Sequence, residues 1–375
     1  MVGEGVKTMS DNKRIVKIVL TGGPGAGKSS ALQFLSRRLG EYGWRVLTVG
    51  ETASEMISGG VAPWSCGTKY DFQLLRMRLQ REKEEIFSRA AQTMENEKIL
   101  IVCDRGMTDS RSYMTEEVFA SACDALGKSA LFLRDGYDAV FHLESAAKGA
   151  PDAYESGEGT VRRESADEAS RLDDALISAW CGHPHLRIIK CRETFEEKAE
   201  ALVGEVLAYL GDPEPYEIER KYLIKYPDLA ALGSDPFCRK IGIEQAYFPL
   251  GADGARIRRR GEGGDAVYFY TEKREVTPGR RIEIERRITE GEYRDLMKLA
   301  EPGRGALAKD RYCLVYEGKY FEIDVYPFWR DRAIMEIELG REDEAFSFPP
   351  HVEVIKDVTE DKEYTNYNLS KKYCK

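Results

Sequence analysis

Glu217-Ile218-Glu219-Arg220-Lys221 opens the C-terminal part of the chain, and the segments after it repeat its pattern of charge at every second position. Arg256 and Arg258 flank Ile257. Arg281, Glu283 and Glu285 alternate with Ile282 and Ile284. Lys309 and Arg311 precede Tyr312, Glu322 and Asp324 flank Ile323, and Glu336 and Glu338 flank Ile337. Side chains two residues apart share one face of a β-strand, so each segment carries an ionic face and a largely apolar one. One such face alone reads as solvated, because charges normally lie in water. The series reads differently: its polar positions are dominated by Arg and Glu rather than by the Lys, Thr, Ser and Gln of exposed sheets. It predicts a closed antiparallel sheet with a charged lumen. Ile218, Tyr222, Ile257, Ile282, Ile284, Phe321, Ile323, Val325 and Ile337 are then expected to pack outward against helices. Unpaired buried charges are costly, so the lumen needs ion pairs, a metal or a phosphate ligand.

These residues resemble a known family. Glu217-x-Glu219-x-Lys221 is similar to the opening signature of CYTH domains, the triphosphate tunnel metalloenzymes. The resemblance continues through Arg256-Ile257-Arg258, Tyr270-Thr271-Glu272-Lys273 and Arg281-Ile282-Glu283-Ile284-Glu285. It extends over Lys309-Asp310-Arg311-Tyr312, Glu322-Ile323-Asp324-Val325, Glu336-Ile337-Glu338-Leu339 and Asp357-Val358-Thr359 with Tyr364 and Asn366. It implies an α+β domain built on an eight-stranded antiparallel β tunnel, with a basic bank for phosphates and an acidic bank for divalent metal. Family members hydrolyse triphosphates or, in some cases, cyclise ATP.

The residue types suit that chemistry. Mg²⁺ and Mn²⁺ prefer hard oxygen ligands, which Glu217, Glu219, Glu338 and Asp324 offer. Arg256, Arg258, Lys273, Arg281, Lys309 and Arg311 are the expected phosphate-binding residues. Lys221 shares a face with Glu217 and Glu219, where it either pairs with them or reaches a phosphate. Metal-bound water is the expected nucleophile, oriented by Glu285 or Glu336. These roles follow partly from the resemblance; the residues alone define only the faces.

A second signal lies near the N-terminus. Arg14-Ile15-Val16-Lys17-Ile18-Val19-Leu20 reads as a buried parallel strand. It runs into Gly22-Gly23-Pro24-Gly25-Ala26-Gly27-Lys28-Ser29, with Ser30 next and a helical pattern through Leu32, Leu35 and Leu39. Strand, glycine loop and helix are the context of a phosphate-binding P-loop. Its glycines turn backbone N–H groups inward toward an anion at the helix N-terminus. Lys28 is expected on the β- and γ-phosphates and Ser29 on Mg²⁺. Ile99-Leu100-Ile101-Val102-Cys103-Asp104 supplies an apolar strand ending in an acid, with Asp104 holding Mg²⁺ directly or through water. Asp104-Arg105 resembles the Asp-Arg pair of small-molecule kinases, where the arginine meets an acceptor. Strands at 44–49, 139–143 and 186–189 complete a kinase-like α/β domain, with Glu51 at its carboxyl edge.

The stretch 157–163 carries Arg162 and Arg163. It reads either as a lid closing over nucleotide phosphates or as a solvated loop; Arg171 is a third candidate for the catalytic arginine. Ser165-Ala166-Asp167-Glu168 is a capping box opening a helix through Trp180. Across its whole length the chain resembles the TRPL translocation defect protein family, on Leu20-Thr21-Gly22-Gly23-Pro24, Cys103-Asp104-Arg105-Gly106, Ser145-Ala146-Ala147-Lys148-Gly149-Ala150 and Gly182-His183-Pro184. That resemblance implies guanine nucleotide binding and a link to phosphatidic acid. Adenine and guanine stay open, so ATP or GTP is the expected nucleotide.

The expected organisation is a disordered leader at 1–13, a P-loop domain at 14–212 and the tunnel domain at 213–375. Gly211-Asp212-Pro213-Glu214-Pro215 forms a stiff connector that keeps the two domains in contact. A net charge of −9 argues against a general nucleic-acid binder. The 8 cysteines lack C-x-x-C spacing and read as reduced thiols in a cytoplasmic protein. His183 and His185 bracket a proline rather than forming a ligand pair. No apolar run approaches a membrane span. Two functions remain: a metal-dependent triphosphatase, or a nucleotide-controlled protein whose tunnel only binds a phosphorylated ligand.

Overall fold

The computed structural model describes residues 13–149, 154, 165–212, 218–248, 255–277, 280–340 and 343–374, with the backbone alone over 273–277 and 280–284. Five parallel strands form the first sheet: β1 (Arg14–Thr21), β2 (Arg45–Val49), β3 (Lys98–Asp104), β4 (Ala139–Leu143) and β5 (Leu186–Ile189), in the order β2-β3-β1-β4-β5. β1 lies at the centre, and Ile18, Val19 and Leu20 are fully buried, as expected for a strand covered on both faces. The helices Lys28–Gly40 and Phe195–Leu210 pack on one face and share a core with Ile18, Leu20, Val102 and Phe141. The Ser165 capping box forms as expected and starts the helix Ala166–Trp180.

The second sheet is antiparallel. Its strands are β6 (Ile218–Lys225), β7 (Cys238–Tyr247), β8 (Arg256–Glu262), β9 (Asp265–Thr277), β10 (Arg280–Ile288), β11 (Leu307–Tyr316), β12 (Lys319–Val325), β13 (Arg332–Leu339) and β14 (Val354–Asp357). They run in the order β10-β9-β8-β7-β11-β12-β13-β6-β14. Eight strands were implied; the ninth is the four-residue β14, laid along the outer edge of β6.

Period-two alternation divides the two faces as the sequence indicates. Tyr222, Ile224, Phe321, Ile323, Val325, Met335 and Ile337 form an outer core with Leu232. Ile257 packs outward with Tyr293 of the helix Glu290–Met297. The inner face holds the charges. Among the described residues no ladder joins β10 to β6 or β14, so the expected closed sheet is not completed by hydrogen bonds; its curvature is seen at Tyr247. Its phenol on β7 is pushed up to about 12 by burial, and it lies within electrostatic reach of Lys221 and Glu336. Those two residues are on β6 and β13, separated from β7 by β11 and β12 in the ladder.

β11 shows how the inner face is layered. Leu307 packs with Tyr326, Trp329, Ile334 and Leu369 of the helix Asn366–Tyr373. Lys309 and Arg311 form a charged belt, and Cys313 and Val315 enter an apolar cluster at the opposite end.

Candidate functional sites

The glycine loop follows β1 directly. Gly25 and Gly27 take φ of 77° and 81°, a region other residues enter at a cost, and Gly27 is the N-cap of the helix Lys28–Gly40. At Gly22 (φ 148°) a Cβ would stand 2.2 Å from Leu143 O, so the close approach of β4 also requires glycine. Asp173 fixes the loop from the side: its Oδ1 accepts from the N–H of Gly23 at 2.8 Å and of Ser145 at 3.1 Å, and lies 3.0 Å from His142 Nε2.

Charged groups converge beside the loop at the carboxyl ends of β2 and β3. Arg105 has φ 69°, a left-handed conformation costing about 1–2 kcal/mol outside glycine. It is held there by its N–H donating to Leu20 O at 3.0 Å and by Nε donating to Glu51 at 2.6 Å. Burial would raise the Glu51 carboxyl, yet Arg105 and Lys28 outweigh it and hold Glu51 at about 2. The Lys28 ammonium is brought down to about 8 by burial and by Arg105, against the pull of Asp104 and Glu51. Burial raises Asp104, whose Oδ1 is buried with no hydrogen-bond partner. An orphaned carboxylate oxygen near the loop, with Ser29 exposed at the helix start, fits a hydrated divalent cation. Beneath lies a polar network absent from the sequence reading: Thr21 and Arg105 on Asp109, Arg76 on Ser110, and Gln80 on Arg105 O and Thr52. Arg162 and Arg163 lie outside the described residues, and Arg171 is exposed.

In the second sheet the predicted residues meet in one belt. Lys221 Nζ lies 2.9 Å from Glu336 and 3.3 Å from Glu219. Arg311 binds Asp324 through Nε (2.7 Å) and Nη2 (2.7 Å), Glu336 at 3.0 Å, and Glu322. Lys309 pairs with Asp324. Across the lumen Arg258 lies 3.9 Å from Glu285, which accepts from Thr271 Oγ1 at 2.9 Å. Burial works against ionising Glu336, but Lys221, Arg311 and Lys309 hold it well below the usual carboxylate range. Glu219 is pushed up to about 7, by burial and then by Glu336. Burial and Arg311 bring Lys309 down to about 8.

Two expected ligands are differently engaged. Asp324 is fully buried with both oxygens bound by Lys309 and Arg311, and Glu338 pairs with Arg187 from β5. Glu217 lies outside the described residues, as do the side chains of Lys273 and Arg281. Among the described residues no three His, Cys, Asp or Glu side chains form a metal-binding group. The cation this pair holds is the Lys221 ammonium, between Glu219 and Glu336. His183 is buried, depressed to about 3 by burial, and its Nε2 lies 3.0 Å from Tyr137 O; no metal role is called for.

Two of these features also point to known proteins. Residues 17–198 match the AAA domain family, and with the loop geometry they define a P-loop nucleotide-binding domain. The inorganic triphosphatase of Nitrosomonas europaea is 31% identical over 156 residues, which cover 41% of this chain and 96% of that protein. The chain belongs to the family of that triphosphatase. Among solved structures, the inorganic triphosphatase NE1496 is 30% identical with a TM-score of 0.30, covering 42% of this chain and 95% of that one. Thymidylate kinase from Ehrlichia chaffeensis is 16% identical with a TM-score of 0.35, covering 52% and 98%. No helix among the described residues is long and apolar enough to cross a membrane.

Proposed function

We propose that the inner face of the antiparallel sheet binds and hydrolyses a triphosphate-containing substrate with Mg²⁺ or Mn²⁺, while the P-loop domain binds ATP or GTP. The observation that carries this reading is the belt itself. Lys221, Arg258, Lys309 and Arg311, from the three strands β6, β8 and β11, pair with Glu219, Glu285, Asp324 and Glu336. Kinship with a protein named for inorganic triphosphate hydrolysis supports it. The cation, when bound, supplies Lewis-acid polarisation and lowers the pKa of a coordinated water. Glu217, Glu219 and Glu338 would hold it. Arg256, Arg258, Lys309 and Arg311, with Lys273 and Arg281, would grip phosphoryl oxygens and disperse developing charge. Glu336 stays ionised and would orient the attacking water, a role for which Glu285 is the alternative. In the P-loop domain, Lys28 would meet the nucleotide phosphates while Ser29 and Asp104 hold Mg²⁺. The two proposed domains meet in the connector after Gly211, whose φ of 68° ends the helix Phe195–Leu210. All eight cysteines are free, which supports a reducing, cytoplasmic setting.

The test is phosphate release from tripolyphosphate and nucleoside triphosphates with each metal. Metal-dependent release lost in Glu219→Ala and retained in Lys28→Ala is the expected result; the opposite pattern moves the chemistry to the P-loop domain. A second reading, a nucleotide-controlled binder of a phosphorylated ligand such as a phosphatidic acid head group, is favoured by one observation. The described carboxylates are already matched by Lys and Arg, without a three-carboxylate metal group. Thermal stabilisation by phosphatidic acid with no release under either metal would select it.

A further inference from the structure

One end of the lumen is closed by the other sheet's domain. The inner-face residues Ile241, Ile243, Cys313, Val315 and Tyr320 belong to one buried cluster with Trp180 and Cys181 from the end of the helix Ala166–Trp180. Val267 and Phe269, on the inner face of β9, pack on Leu131. Along β8 the basic row Arg256, Arg258, Arg260 passes from partly exposed to fully buried. Arg260 Nε donates to Asp135 at 3.2 Å and Nη2 to Gly182 O at 2.6 Å, with Asp135 also fully enclosed. Tyr320 OH donates to His183 O at 2.8 Å. Arg134 binds Asp135 and Glu262, each at 2.8 Å. Asp135, Gly182, His183 and Leu131 all precede the antiparallel sheet in the chain. They lie on the loops and the short helix at the amino-terminal ends of β4 and β5, away from the glycine loop.

We infer that the P-loop domain is the floor of the tunnel. It stops the lumen at Arg260, so the cavity is blind and takes the end of a short linear phosphate chain; a long polyphosphate cannot thread through. The inference rests on the triphosphate reading and adds to it a length limit imposed from outside the antiparallel sheet. The geometry is consistent in scale: two charged positions on β11, Lys309 and Arg311, span about 7 Å at ~3.4 Å per residue. Side chains of the two apolar clusters bound them on either side, Leu307 above and Cys313 below.

The experiment uses the full chain, with tripolyphosphate and size-fractionated polyphosphates of increasing length. Calorimetry reads binding stoichiometry, and gel electrophoresis reads products in the presence of Mg²⁺ or Mn²⁺. The expected result is one protein molecule per chain end at every length, with phosphate lost only from termini. Stoichiometry rising in proportion to length, or mid-chain scission, overturns the blind floor while leaving triphosphate binding intact. Failure to bind tripolyphosphate at all overturns the underlying reading and the inference with it. In Arg260→Ser, which opens the seal at Asp135, stoichiometry is expected to climb with length. A folded variant that keeps end-only binding removes Arg260 as the stop. Should that variant fail to fold, the wild-type length series decides alone.

Discussion

The glycine loop and the charged belt, each proposed to hold a chain of phosphates, gather their polar groups by opposite means. The loop uses main-chain N–H groups along Gly22–Ser29, except at Pro24, which has none, positioned by left-handed glycines and by one carboxylate, Asp173. The belt uses side chains from β6, β8, β11, β12 and β13, held against one another as ion pairs when no ligand is present. The loop holds little charge of its own, with the Gly23 N–H kept by Asp173 and the Ala26 N–H by Gly23 O. The belt stores compensated charge, so binding there exchanges one set of partners for another. Mutations should therefore damage ligand affinity in the loop and the fold itself in the belt.

The largest expected effect tests that contrast. Arg311→Ala leaves Asp324, Glu322 and Glu336 facing each other without their common partner, which should cost about 3–5 kcal/mol of folding stability. Urea denaturation would measure it; a loss below 1 kcal/mol would mean the belt is more solvated than its burial indicates. Lys28→Ala comes next. It should leave the melting temperature of the ligand-free protein nearly unchanged yet weaken nucleoside triphosphate binding by about 2–3 kcal/mol, roughly 30–150-fold. Asp173→Ala lies between the two types: removing the acceptor for Gly23 and Ser145 should cost about 1–3 kcal/mol of stability and also weaken nucleotide binding. If only stability falls, Asp173 is a core residue rather than a support for the loop.

The smallest effect is one of pH. Glu219 at about 7 binds its proton in the folded state where the unfolded chain, near the usual 4.5, has released it. Its contribution is complete below pH 4.5 and is lost as pH rises toward and through 7. Melting temperatures of the ligand-free protein between pH 5 and 8 should show this decline, and Glu219→Gln should flatten it. An unchanged profile in that variant would assign the slope to another group.

What the amino-acid sequence revealed follows from how far apart in the chain the partners lie. The glycine loop, its strand and its helix are contiguous, so Gly22 to Ser29 could be read directly. The capping box at Ser165 is equally local. The inner faces of the second sheet were legible through alternation, which needs no partner. Partnership itself was not. Lys309 and Arg311 read as phosphate ligands and Asp324 as a metal ligand, yet both cations bind Asp324, because strand register is decided across β11 and β12. Asp173 escaped notice on a helix whose buried face otherwise carries Ala169, Leu176 and Trp180; a lone carboxylate on that face was the available clue. Arg134, Asp135 and Arg260 resemble surface charges until the two sheets are brought together.

The cluster joining Trp180 and Cys181 to Val315 and Tyr320 has a thermodynamic corollary. Each half keeps apolar clusters of its own, yet this one is shared between them. Heat should then melt the whole polypeptide in one calorimetric event, and a truncated half would bare the apolar surface it now shares.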